Sequence, residues 1–547
     1  MVILTGIWFC CLLAAKPGFS QCDTHLNGID SIIGGSFTPM DVFYSDSNNN
    51  LYIAGGFTKV NSIVVNGLFQ WNGSIPSGLG LGTDGGGFVR TFMKYKNKLY
   101  MGGGFGEVDN TPGTARLAIW DGSSWSGCPI GEPLGGDVYD MSIYHDSLFI
   151  CGMFWCFGST SNVYQDIIAT DGTGWYNVGA IPYVWVSALI TYNDRLYLGG
   201  YYGMMEYKGD TIWEQISGPT CCVNDMDVDT FNNILYVGGG FTTIGNVDYD
   251  GTNYIYSNET VSNCVAWFDG FKWHSMGNAI NCDVYEQGLK VYHGDAYVGG
   301  CFDTTSGGAA NYIARWDGTK WDTLCCSLNS AVETLEVFRD TLFIGGYFTA
   351  ADGVPANGIV KYFQPDTGCH YLKPLVLAVS DTFKINNFQP TIDVQFYNNN
   401  AYADSWAWDF DDGGATANTK DASHIFDTPG TYQVSVTVSH NSCIKTATRD
   451  ITIIDNTGLE NYTRESLQFK VFPNPTSGSI AVECTLPIDN TGELRSHNPN
   501  GTWKNFYKLQ GGFNYVDIPA NELNPGLSLL SLFVDGEFVF SEKVVKE

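Results

Sequence analysis

The sequence predicts an all-β protein: a seven-bladed β-propeller over residues 22–363, followed by two smaller β-domains at 376–454 and 468–547. Three observations predict it. Glycine makes up 65 of 547 residues, aromatics are 14% and charged residues only 15%, against roughly 25% charged in ordinary domains. That balance suits short strands joined by tight turns. A segment of the form LYxGG recurs seven times, beginning at Leu51, Leu99, Leu148, Leu196, Leu235, Ala296 and Leu342. Its spacing of about 48 residues is that of a four-stranded propeller blade.

Each repeat reads strand by strand. An alternating stretch such as Val138 to Tyr144 is the inner strand, and the LYxGG stretch is the second. Its glycine pair lets neighbouring backbones approach where side chains would collide. A third strand ends in an aromatic residue, and an Asp-Gly hairpin leads to a fourth opening with Trp, as in WDGSSW at Trp120 and WDGTKW at Trp316. These Trp side chains are expected between blades. The seventh repeat stops after its third strand at Gly358. The segment GIDSIIGGSF from Gly28 is expected to supply the missing strand and close the ring, which removes an open sheet edge. Cys22 and Cys369 flank that seam and are expected to bridge it.

The repeat resembles the LYVGG-F…IARWDG-type propeller repeat of secreted bacterial proteins, with NYIARWDGTKW at Asn311 its cleanest instance. The resemblance implies a fold and no particular activity. Further on, WAWDFDDGG at Trp406 and HIFDTPGTYQVSVTV at His424 resemble the PKD domain, an immunoglobulin-like β-sandwich. Trp408, Asp409, Phe410, Gly413, His424, Pro429, Gly430 and Tyr432 carry that match, and Asp411 stands where the family has Gly. The stretch from Phe469 resembles the C-terminal sorting domain of the bacterial type IX secretion system, on Phe472, Pro473, Asn474, Pro475, Thr476 and Gly478. This resemblance implies the type IX machinery as a partner and passage across the outer membrane of a Gram-negative cell, with release or attachment at its surface.

The opposite terminus agrees. Val2 to Ala15 is an unbroken run of fourteen residues without charge, too short for a bilayer but right for a signal peptide over residues 1–20. No other segment approaches transmembrane length. The net charge of −30 disfavours nucleic acid and anionic membranes, which need cationic side chains. Cys10 and Cys11 fall in the leader, and the remaining fourteen cysteines contain no CxxC pair. That set points to disulfides in an oxidising compartment rather than zinc. Candidates are Cys22, Cys369, Cys221, Cys222, Cys264, Cys282, Cys301, Cys325 and Cys326, with their connectivity open.

No HExxH, GxSxG, GxxxxGKS/T or CxxC motif occurs, and the eight histidines are scattered. The loops joining second to third strands vary most. The longest, Thr242 to Ser262, holds Asp248, Tyr249, Asp250, Tyr254 and Tyr256. Tyrosines with carboxylates suit sugar stacking or a calcium ion, though an ordinary polar loop has the same composition. Asp409, Asp411 and Asp412 offer calcium ligands or a structural turn, and Asp225, Asp227 and Asp229 read as a solvated strand face. The expectation is an exported, non-catalytic surface protein binding glycan or protein. The alternatives are a polysaccharide hydrolase or lyase acting in the propeller funnel, and a structural matrix component.

Overall fold

A computed structural model describes residues 22–546 except 27–28, 30, 35–39, 84–86, 129–134, 158–162, 180–184, 250–253, 278–279, 282–283, 325, 365–368, 370, 386–390, 399, 415, 456–463, 465, 487–490, 498–502, 520–521, 524–525 and 535–536. Among these residues the named elements are all strands, and no helix is long and apolar enough to cross a membrane. The chain divides into two units, the first ending at Thr367 and the second lying mainly within Gly368–Glu547.

The first unit contains seven four-stranded antiparallel sheets among the described residues. Their inner strands are Met40–Ser45, Val89–Tyr95, Gly135–Tyr144, Val186–Tyr192, Val223–Asp229, Val284–Tyr292 and Val332–Val337. The core lies between successive sheets. Val42, Tyr52 and Leu68 of the first pack with Phe92, Leu99 and Met101 of the second. Phe43, Ile53 and Trp71 of the first also meet Phe338, Phe343 and Ile359 of the seventh, so the series closes on itself.

The sequence pattern has a physical cause at each step. A Cβ on Gly238 would stand 2.8 Å from a methyl of Val284 in the next sheet. A Cβ on its neighbour Gly239 would stand 1.9 Å from the Cys222 carbonyl at the start of its own sheet's inner strand. The first glycine of the pair admits the following blade, and the second admits its own. In the hairpins, Gly122 and Gly318 take φ of 103° and 101°. The Asp121 carboxylate accepts the Ser123 and Ser124 N–H groups at 2.8 Å, which hold it down at about pKa 2. The Trp residues join blades: Trp125, Trp213 and Trp321 donate their indole N–H groups to Leu79, Val178 and Met276 carbonyls in the preceding sheets.

Two expectations about the seam are corrected. The strand completing the seventh sheet is Cys22–Asp23, with Cys22 opposite Tyr362 and Asp23 opposite Lys361. The Lys361 ammonium lies 2.7 Å from the Asp23 carboxylate. Of the segment assigned to this role, Ile32–Gly34 pairs instead with Phe57–Val60 in a separate three-stranded sheet, while Gly28 and Ser36 lie outside the described residues. Ring closure needs only a short strand against Ile359–Tyr362, and the first described residues already provide it. Cys22 bonds Cys326 and Cys369 bonds Cys443, rather than each other. Cys369 is a partner inside the sandwich core, where it packs with Cys443.

The remaining cysteines divide. Cys221 and Cys222 form a disulfide between adjacent residues, with Cys222 at φ 49°. Cys301 is disulfide-bonded, Cys264 is a buried thiol, and Cys282 and Cys325 lie outside the described residues.

In the second unit, a five-stranded and a two-stranded sheet enclose Trp408, Phe410, Val434, Val436 and Val438. Asp411 sits at φ 60°, the left-handed conformation that explains glycine as the alternative there. A further pair of sheets spans Lys470 to Lys546 around Leu494, Leu530 and Val544. There the PNPTSG stretch is tied to the last strand, Glu537–Lys546. Asn474 donates to the Lys543 carbonyl at 2.6 Å and accepts the Val545 N–H at 3.0 Å, and Thr476 donates its N–H to Val545 at 2.9 Å.

Candidate functional site

Each inner strand of the propeller breaks register at the same point. An apolar residue pairs with the second strand, one residue is left over, and pairing resumes. The leftover residues are Asp41, Arg90, Tyr139, Ser187, Asn224 and Glu333. In the sixth sheet the break widens to Tyr285–Glu286–Gln287–Gly288 between Val284 and Leu289. A bulge turns its extra side chain out of the ladder, and here all but Tyr139 and Gly288 line one cavity of about 590 Å³. This ring escaped the reading of the sequence, which treated the inner strands as simple alternation. The available signal was the apolar residue (Met40, Val89, Val138, Val186, Val223, Val284, Val332) that precedes one variable position in each repeat.

The cavity is a funnel with an aromatic rim and a polar floor. Phe88, Trp185, Tyr201, Tyr285 and Tyr347 line it, and Trp185 and Tyr201 are 49% and 57% exposed. Arg90 is its cation. The guanidinium bonds Glu286 through Nη1, reaches Asp137 at 3.7 Å through Nη2 and stacks over Tyr139 at 4.6 Å. Burial raises the Glu286 carboxyl even so, with Arg90 opposing the shift. Burial pushes Asp41 up to about 7, with the Val89 N–H opposing and the Glu333 charge adding to the rise. Glu333 likewise reaches about 7 through burial and the Glu286 charge. Cys222 of the vicinal disulfide lines the same wall, its N–H donated to the Tyr201 carbonyl at 3.3 Å.

Beneath this ring, aspartate carboxyl groups hold the blades together. Asp140 accepts the Leu189 N–H of the next sheet at 2.8 Å, and Asp225 and Asp227 accept those of Leu289 and Val291 at 2.7 Å. Asp225 and Asp229 are buried, which corrects the expectation of a solvated face. An inner strand faces the crowded channel, so its polar side chains find backbone donors of the next blade.

The Thr242 to Ser262 segment is a hairpin, Thr243–Tyr249 against Tyr254–Val261, rather than an open loop. Asp248 pairs in register with Ile255, and Tyr249 with Tyr254; Asp250 lies outside the described residues. The Tyr256 hydroxyl donates to the Tyr202 carbonyl at 3.1 Å and accepts from Gln215. The funnel draws its lining from other residues, so the two features are separate. Asp411 accepts the Gln433 N–H at 3.0 Å, its own N–H bonds Asp409, and Asp412 pairs with His424 at 2.7 Å, all contacts of a structural turn. Among the described residues no three His, Cys, Asp or Glu side chains converge as a metal set.

Residues 374–454 match the family model of the PKD domain. The match begins two residues before the boundary read from the sequence and ends at the same one. No curated protein matches the chain in sequence. Among solved structures, the extracellular domain of the putative one component system BT4673 from B. thetaiotaomicron is 11% identical with a TM-score of 0.35. That alignment covers 78% of this chain and 60% of that one, so the chain spans about three-fifths of that neighbour's length. The β-propeller domain of Cps50 (Swd1) from Myceliophteria thermophila is 8% identical with a TM-score of 0.34, over 61% of this chain and 98% of that one. The propeller assignment rests on the sheets themselves.

Proposed function

We propose that the chain is an extracellular, non-catalytic binding protein whose propeller funnel receives a glycan or protein ligand. The observation that carries this is the aromatic rim set over bulge residues contributed by six of the seven sheets. Exposed rings at the mouth of a cavity offer flat apolar area at low ordering cost, and the polar ring below offers hydrogen bonds that orient a ligand. Disulfides and a PKD domain fit an oxidising, extracellular setting. In this reading the C-terminal domain addresses the type IX secretion machinery through Phe472 to Gly478, and the PKD domain is a spacer. A glycan array and a peptide array probed with the full chain test it. Specific binding is expected, and silence on both arrays would contradict it.

A second reading is favoured by one observation. Asp41 and Glu333 keep protons to about neutral pH inside a funnel that also holds Arg90 and Glu286. Such groups suit general acid chemistry on a polysaccharide. Turnover of the array hits, lost in Glu333→Gln, would establish that reading in place of the first.

A further inference from the structure

The funnel's charges and rings are matched to a particular chemistry. Arg90 is already engaged by Glu286 and Asp137, so it is not available to hold an anionic ligand. Asp41 and Glu333 stand on adjacent blades of the ring, the first and the seventh, and neither forms an ion pair among the described residues. Five aromatic rings line the same cavity: Phe88, Trp185, Tyr201, Tyr285 and Tyr347. Ring faces attract cations, and a carboxylate beside them completes an ammonium site. The formal charge of −30 attracts cations to the whole surface and repels polyanions.

Resting on the reading of the funnel as a binding site, we propose that its ligand is an amino sugar within an oligosaccharide, its ammonium seated between Asp41 and Glu333 and its pyranose faces on the rim rings. A sugar fits better than a lysine side chain because the rings stand on four different blades around the mouth, with Trp185 and Tyr201 side by side on one of them. A pyranose offers two flat C–H faces beside its amine, while a lysine stem offers a single thin chain. A cavity of about 590 Å³ is of the size that encloses a small ligand.

The charged neighbours set the pH response. Asp41 feels Glu333 and Arg90, and Glu333 feels Glu286 and Arg90. An incoming ammonium would drive both carboxyls to ionise, so binding near pH 6 would release protons.

Titration calorimetry of the full chain with a glucosamine tetramer, its N-acetylated counterpart and a lysine tetrapeptide, each at pH 6, tests the proposal. The glucosamine tetramer should bind at least about tenfold more tightly than either. Its heat should vary with the buffer's ionisation enthalpy, as proton release requires. Asp41→Asn and Glu333→Gln should each remove most of the preference over the N-acetylated form. If one variant fails to fold, the other carries the test. Equal affinity for both sugars would overturn the ammonium site while leaving glycan binding intact. A preference for the lysine peptide would overturn the choice of sugar. No binding of any of the three, with hits on the arrays, would overturn this inference alone, and silence on the arrays would overturn it together with the function.

Discussion

Arg90 in the second sheet and Glu286 in the sixth pair across the central channel, 196 residues apart in sequence. The contact exists because the sixth inner strand carries a bulge of four residues, long enough to carry Glu286 over to the opposite wall. It sets the floor of the funnel and fixes the one cation that lines it among the described residues.

Removing that cation leaves Glu286 and Asp137 facing each other in a partly buried site. Arg90→Ala should therefore cost about 1–3 kcal/mol of stability, and Glu286→Gln less, since Arg90 keeps Asp137. Chemical denaturation followed by tryptophan fluorescence reads the difference. An Arg90→Ala midpoint equal to the parent's would show that the pair contributes nothing.

The Cys22–Cys326 bond closes a loop of 304 residues beside the ring-completing strand. Constraint of so long a loop in the unfolded chain is worth about 2–5 kcal/mol. Cys22→Ser with Cys326→Ser should lower the thermal midpoint and hasten hydrogen exchange at Ile359–Tyr362, the strand that Cys22–Asp23 covers. Unchanged exchange there would contradict the closure.

Stability should fall as pH rises from about 4 to 7. Asp41, Asp140 and Glu333 hold protons to about 7 in the fold, whereas the unfolded chain releases them near pH ~4. The folded state therefore binds more protons across that window, and its advantage is gone above it. Asp121 and Asp171, held down at about 2, act only below it. A thermal midpoint several degrees higher at pH 5 than at pH 8 is expected by calorimetry. The reverse order would show that these carboxyls ionise freely in the fold.

At the other end of the chain, Asn474 bonds the last strand at two points along one edge, the Lys543 carbonyl and the Val545 N–H. Asn474→Ala should cost about 1 kcal/mol and speed hydrogen exchange in Glu537–Lys546, leaving the propeller untouched. Exchange at the parent's rate would separate the motif from the strand.

Much of the fold was legible because the repeat encodes contacts that recur in each blade. Gly238 and Gly239 must be small to admit Val284 and the Cys222 carbonyl, and Asp121 must cap its hairpin. What escaped depends on contacts that no local pattern records. Cys22 meets Cys326 through ring closure rather than through nearness to the last repeat. Asp225 reads as an alternating polar residue, yet the residue it holds is Leu289 of another blade. The candidate site escaped for a related reason: a bulge residue such as Glu333 looks like one more strand position until its partner strand is seen to skip it. The hairpin bearing Tyr256 stood out by length and composition, but its tyrosine bonds Tyr202 and Gln215 within the propeller.

The central claim is that ligand enters the bulge-lined funnel, and photo-cross-linking with a diazirine-bearing array hit, mapped by peptide mass spectrometry, tests it most directly. The account predicts labelled peptides around Trp185, Tyr201, Tyr285 and Tyr347, abolished in a Trp185→Ala, Tyr201→Ala variant of unchanged thermal midpoint. Labelling confined to the Thr243–Val261 hairpin or to residues 374–454, and unaffected by that variant, would contradict it.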